Sequence, residues 1–317
     1  MKILGIDYPC MDMGILCGSI PEDGGFSLVE DMSLMGGGKI PNALVAAARL
    51  GAEAGIIGTV GDDRYGRQCR ADLEYNGVET GRLESRPGTT ALCFCITDAK
   101  TRGKRCMESP ASYARLEPQE LDREYLEQAD VLLLYEMDET ALAAAKAVRA
   151  HGGKVLVDGD EFDPRTQDNL ALVDIFILSE YYYHALFSGG TLEDNLRSLR
   201  ELGPEVVVVT LGAEGCAGIG PEGYFRLPAC SGGRVVDTTG AGDVFHGAFA
   251  YYYAGGASAR DSAAQASAVS YIKCNYLGGR TGIPTAAGVA RYLETGTIGR
   301  EDFAQRMDYY RRAAFCG

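Results

Sequence analysis

A chain of 317 residues is long enough for one large α/β domain or two smaller ones. Its net charge of −14, from 44 acidic and 30 basic residues, sets the surface against nucleic acid and anionic membranes as partners. No apolar run approaches the ~18–20 residues of a membrane helix, and the opening MKILGID lacks a signal peptide's longer apolar core, so a cytoplasmic protein is expected.

Strand patterns fall at 3–7, 55–60, 131–135, 154–158, 175–178 and 206–211, with helix-like stretches at 42–50, 65–75, 139–150 and 192–202. Gly51 and Gly203 stand just past two of these helices, where glycine is favoured. Apolar runs such as VVVVTL suit strands buried on both faces of a parallel sheet. The last third turns helical, at 242–253, 259–274 and on towards 312. No linker or repeat breaks the chain, so residues 1–317 are expected to form a single α/β domain, a central mostly parallel sheet flanked by helices. Segments 13–35 and 88–107 depart from the alternation and read as turn-punctuated strands, a small β lid over the sheet's edge. Ten cysteines are scattered without a CxxC pair, which argues against zinc, and three separated histidines give little material for a Ser-His-Asp mechanism.

The most informative stretch is DTTGAGDVFHGAF, residues 237–249. Small residues at Gly240, Ala241 and Gly242 let backbone N–H groups approach a ligand, and the helix start behind them favours an anion. Asp243 beside such a hole is badly placed to bind phosphate and well placed to take a proton from an attacking hydroxyl. As an isolated motif it could equally be a helix cap. A second stretch, GGGKIPNALVAAARLG, sets Asn42 at the start of an Ala-rich helix, where its amide either caps or both donates to and accepts from a hydroxyl. It is not a phosphate-binding Walker loop, since the spacer and the Ser or Thr after Lys39 are missing. A third, VVVVTLGAEG, is a strand ending in a Gly-bounded turn of the sort that holds a nucleotide.

Together these strings resemble the ribokinase/PfkB family of carbohydrate kinases, from Gly5 to about Thr285; DTTGAGDxFxxGF is similar to its second signature. The resemblance implies a ribokinase-like fold with a β lid and a reaction of ATP with a sugar to give ADP and a sugar phosphate. It makes Asp243 the base and the amides of Gly240, Ala241 and Gly242 the hole for the transferred phosphoryl group. Gly37, Gly38 and Asn42 match the sugar-binding GGxxxN, and Asp12 the carboxylate that grips two sugar hydroxyls. Thr210, Gly212 and Gly215 match the nucleotide-binding TLGxxG. The loop at 274–285 is expected to close over adenine, with Asp237 and Thr239 offering oxygens to K+. Mg2+ accompanies ATP. The family's NxxE is altered: Ser179 stands for Asn and Tyr182 for Glu, leaving Glu180 to serve magnesium through water.

Arg102, Lys104 and Arg105 cluster in the second lid segment, either as a solvated hairpin tip or with Arg105 against substrate or phosphates. The GKR turn, residues 175–187 and RVVDTTGAGD resemble ketohexokinases within the family, so a ketohexose or related sugar is the expected acceptor. Nucleosides, sugar phosphates or acidic sugars are rival acceptors, and a non-catalytic sugar-binding homologue is a rival of another class. A lid with an apolar outer face would let two copies pair as a homodimer.

Overall fold

The computed structural model describes residues 1–101, 103–299 and 301–316. The N-terminal half runs β1 (Lys2–Ile6), β2 (Met11–Cys17), β3 (Val29–Gly36), α1 (Lys39–Leu50), β4 (Glu53–Gly61), α2 (Arg64–Tyr75), β5 (Val78–Arg86), β6 (Leu92–Asp98), β7 (Lys104–Ser109), α3 (Arg123–Leu126), β8 (Val131–Leu134) and α4 (Glu139–Ala150). Next come β9 (Lys154–Gly159), α5 (Pro164–Asp168), β10 (Ile175–Ser179), α6 (Glu180–Leu186), α7 (Leu192–Glu201), β11 (Val206–Thr210), β12 (Cys216–Gly220) and β13 (Gly223–Leu227). The chain continues with α8 (Ala241–Ala254), α9 (Ala259–Lys273), α10 (Ala286–Thr295) and α11 (Glu301–Cys316).

Nine strands form the main sheet in the order β13-β12-β11-β10-β9-β8-β1-β4-β5. Pairing is parallel from β11 through β5 and antiparallel only at β11–β12 and β12–β13. Helices cover both faces. Leu44 of α1, Phe249 of α8 and Val269 of α9 belong to one core; Val148 of α4 and Leu199 of α7 belong to the other. Among the described residues, no helix is long and apolar enough to cross a membrane.

Parallel strands end on the same edge, and a ligand crevice forms outside their carboxyl ends. Asp7, Asp160, Ser179 and Thr210 stand at or just past the ends of β1, β9, β10 and β11. Most helices start on a side-chain cap: Asp63, Asp138, Thr191 and Ser258 each accept from the third amide of α2, α4, α7 and α9. The starts of α1 and α8 differ. They follow glycines at positive φ, Gly38 (100°) and Gly240 (73°), so the cap residue itself offers no side chain to the first turn. These two helices lie in close contact because Gly247 has no Cβ; one built there would stand 1.9 Å from the carbonyl oxygen of Ala43.

The four-stranded second sheet has the order β3-β2-β6-β7. Asp12 stands opposite Cys93 in the β2–β6 pair, and Lys104 opposite Thr97 in the β6–β7 pair. Phe26, Leu28, Val29 and Met107, all from this sheet or its connections, are exposed. Four elements differ from the sequence expectations. The helix expected from 42 begins at Lys39, so Asn42 lies inside its first turn rather than at a cap. Strand β5 is a polar edge strand, and β12 and β13 are an antiparallel pair of five residues each, which helix–strand alternation does not reveal.

Candidate active site

The turn before α8 is built around the carboxylate of Asp237. Its Oδ1 accepts from the amide and hydroxyl of Thr239 at 3.0 and 2.8 Å and from Thr97 Oγ1 at 3.2 Å; Oδ2 accepts from the Gly278 amide at 2.8 Å. Burial alone would raise the Asp237 carboxyl, but Lys273 and these donors outweigh it and lower it. Thr239 then hands the chain to Gly240, and among the described residues no protein acceptor meets the N–H groups of Gly240 and Gly242. Asp243, the third residue of α8, is half-buried and accepts from Asn42 Nδ2 at 2.8 Å. Its carboxyl is pushed above the usual range by burial first and by the neighbouring Asp158 second, against Lys39, Asn42 and His246.

A second group gathers on α1. Asp7 Oδ2 accepts the Ile40 amide at 3.0 Å, a carboxylate at a helix start. Burial pushes the Asp7 carboxyl up to about 6. Arg280, fully buried, donates from Nε to Asn42 Oδ1 at 2.8 Å, from Nη1 to Asp72 at 2.6 Å and from Nη2 to the Gly37 carbonyl at 3.1 Å. A guanidinium can only donate, so Arg280 holds the amide oxygen and turns the Asn42 NH2 group to Asp243. Asp12, on β2, is buried against Gly37; a Cβ on Gly37 would lie 2.2 Å from Asp12 Oδ1. Burial pushes the Asp12 carboxyl up to about 6 against the Cys10 thiol, 3.3 Å away, and Arg280.

The turn before α8 borders two cavities. One, of about 150 Å³, is lined by Asp243, Gly240, Ala241, Gly242, Asp158, Asp160, His246 and Lys104 among others. The other, of about 520 Å³, is lined by Thr210, Gly212, Gly215, Phe245, Tyr271 and their neighbours. Thr210, Thr238, Ala241 and Gly242 line both, so the turn before α8 is the shared wall. The Gly215 turn comes close to β13, where a Cβ would meet the Leu227 carbonyl at 2.1 Å.

Asp12, Gly37, Asn42 and Asp243 are thus brought together, and Gly38 starts the helix that carries Asn42. Arg105 is not among them. It pairs opposite Ile96, one residue out of phase with Lys104, so it faces the other side of the lid sheet while Lys104 lines the smaller cavity. Arg102 lies outside the described residues. Glu180 is exposed at the start of α6, its Oε1 3.7 Å from His184 Nε2, and is absent from the cavity walls. Ser179 caps α6 by accepting the Tyr182 amide at 3.1 Å, and Tyr182 is core, edge-on to Phe176. Beside Asp243, the acids that line the smaller cavity are Asp158 and Asp160.

Lys39 is the other residue the sequence left undecided. Its ammonium pairs with Asp160 and lies 4.7 Å from the centre of the Tyr135 ring. Burial disfavours that charge, but Asp158, Asp243 and Asp160 outweigh it. Only the VDGD sequence, two acids ending a buried strand, could have pointed to this cluster.

A profile described as pfkB family carbohydrate kinase matches residues 2–286. A ribokinase of Lactococcus lactis subsp. lactis (strain IL1403) is 30% identical over 299 residues, covering 92% of this chain and 97% of that protein. An aminoimidazole riboside kinase of Salmonella typhimurium is 32% identical over 228 residues, covering 67% and 71%. The solved structure of a ribokinase from Thermotoga maritima superposes with a TM-score of 0.77 at 25% identity, covering 92% and 99%. The fold is therefore ribokinase-like.

Proposed function

The chain belongs to the pfkB family of carbohydrate kinases, phosphotransferases that act on sugar hydroxyls, and from that premise we propose that it uses ATP to phosphorylate a ketohexose or related sugar, with Asp243 as general base. The observation that carries this reading is the shared wall: Asp243 and the free N–H groups of Gly240 and Gly242 border one small cavity, next to a larger one with the Gly212–Gly215 turn. The larger cavity takes ATP, and the sugar sits on Asp12, Gly37, Gly38 and Asn42. Asp243 accepts the proton of the sugar hydroxyl as its oxygen bonds to the γ-phosphorus. The bond to the β–γ bridging oxygen breaks and ADP leaves. The N–H groups of Gly240 and Gly242, and the Lys104 ammonium above them, stabilise charge on the moving phosphoryl group.

Magnesium fits the smaller cavity, because Asp158 Oδ1 is buried there with no hydrogen-bond partner among the described residues, an oxygen suited to a hard cation or its water. Asp158 and Asp160 would hold it, and it would neutralise phosphate charge. A raised Asp243 suits a base, since a carboxyl closer to neutral pH takes a proton more readily. The ribokinase and riboside kinase among the relatives support a second acceptor class, pentoses and ribosides. ADP release with Mg-ATP, measured over ketohexoses, aldohexoses, pentoses, nucleosides and sugar phosphates, names the acceptor. Asp243→Asn is expected to lower turnover at least ~100-fold while sugar binding persists; turnover like the wild type's would sink the mechanism.

A further inference from the structure

The oxygens expected to hold potassium are already engaged. Lys273, the last residue of α9 and fully buried, donates from Nζ to the Asp237 carbonyl at 3.0 Å and also to the Thr239 carbonyl. Both carboxylate oxygens of Asp237 already accept from the protein, Oδ1 from three N–H and O–H groups and Oδ2 from the Gly278 amide. This donor set does not fit a bound cation.

We propose that Lys273 is a resident substitute for that cation: its ammonium fixes the phosphoryl-binding turn from behind, so the enzyme works without a monovalent metal ion. The inference rests on reading this site as a phosphoryl-transfer centre. Its geometry starts from the peptide unit, in which C=O and N–H point in opposite directions. The Thr239 carbonyl shares a peptide with the Gly240 N–H, so holding the carbonyl on Lys273 turns that N–H away from α9. The Ala241 carbonyl shares a peptide with the Gly242 N–H, and Ser270, three residues before Lys273 on α9, donates to that carbonyl at 2.7 Å. The two peptides anchored on α9 therefore carry the two N–H groups that have no protein partner. An ammonium is a compact single charge with three donors, close to potassium in charge and in its preference for oxygen. Buried behind the turn, it also favours negative charge developing in front of it. Lys273 touches no reacting atom in this arrangement; it is a positioning residue.

The test uses the full-length protein and two variants. In the wild type, turnover and melting temperature are expected to stay unchanged when K+ is replaced by tetramethylammonium. Lys273→Ala opens a space lined by two carbonyls. It is expected to lose about 100-fold in turnover, to regain part of it with K+ or methylammonium, and to melt at a higher temperature with either. Lys273→Gln keeps a donor for the carbonyls without the charge; it is expected to fold, to turn over slowly and to ignore K+. A wild type that needs K+, a Lys273→Ala variant whose melting ignores both cations, or a Lys273→Gln variant as active as the wild type would overturn the proposal. Because the melting responses need no sugar, they decide this inference even if no acceptor is phosphorylated.

Discussion

Single side chains in this protein are tuned by burial against hydrogen bonding, and Asp12 makes the conflict measurable. Its carboxyl, ordinarily near 3.8, is pushed up to about 6. The folded state therefore holds a proton over a pH range where the unfolded chain has lost it. The stabilising contribution is complete below 3.8 and is lost as pH rises through about 6. Asp12→Asn, neutral at every pH, is expected to melt at a higher temperature than the wild type near pH ~7.5 and to lose that advantage near pH ~4. The same variant should bind sugar poorly, because an ionised carboxylate that accepts from two hydroxyls is gone. Thermal melts at the two pH values check it, and an equal offset at both would refute the assignment. The motif residues were legible in the sequence because their chemistry is local: a glycine turn, a helix start, an acid in the first turn. Arg280, Asp72 and Lys273 were not, because an isolated polar residue in a helix or loop pattern reads as a solvated one until packing buries it.

At the scale of elements, strand register decides which lid residue lines the smaller cavity. Residues 104 and 105 are adjacent cations with the same sequence context, and the period of two sends them to opposite faces. No sequence pattern fixed that phase, since β7 is exposed along its length and offers no apolar stripe. Lys104→Ala is expected to raise the KM for ATP or for an anionic acceptor and to lower kcat by about tenfold or more. Arg105→Ala should leave both near the wild-type values, and steady-state kinetics on the pair distinguishes the faces. The reverse result would mean that the strand shifts register when substrate binds. Asn42 illustrates the same limit. Its residue type was informative, yet its place inside α1 and its grip on Asp243 depend on how closely α1 and α8 approach at Gly247.

Over the whole molecule, the site is fastened by a helix outside the family-matched stretch. Tyr310 of α11 donates to Asp72 at 2.8 Å across 238 positions. Asn76 donates to the Tyr310 hydroxyl at 3.0 Å, and Arg306 donates to Asn76 Oδ1 at 3.2 Å and to the Ile283 carbonyl at 2.8 Å. Asp72 is the carboxylate that holds Arg280, which orients Asn42, which holds Asp243. A chain ending at residue 299 keeps every motif of the signature and leaves Asp72 and Asn76 without these partners. Breaking a buried polar network of this kind costs several kcal/mol. The shortened chain is expected to lose most of its turnover and to melt lower, and full activity in it would show that Asp72 holds Arg280 unaided. For a chain emerging from the ribosome, all the reactive groups appear by residue 243, yet their alignment waits until residue 310 has been added. On the proposed mechanism, the unfinished polypeptide would thus be kept from spending ATP until the helix that braces Asp72, and through it Arg280, Asn42 and Asp243, has been made.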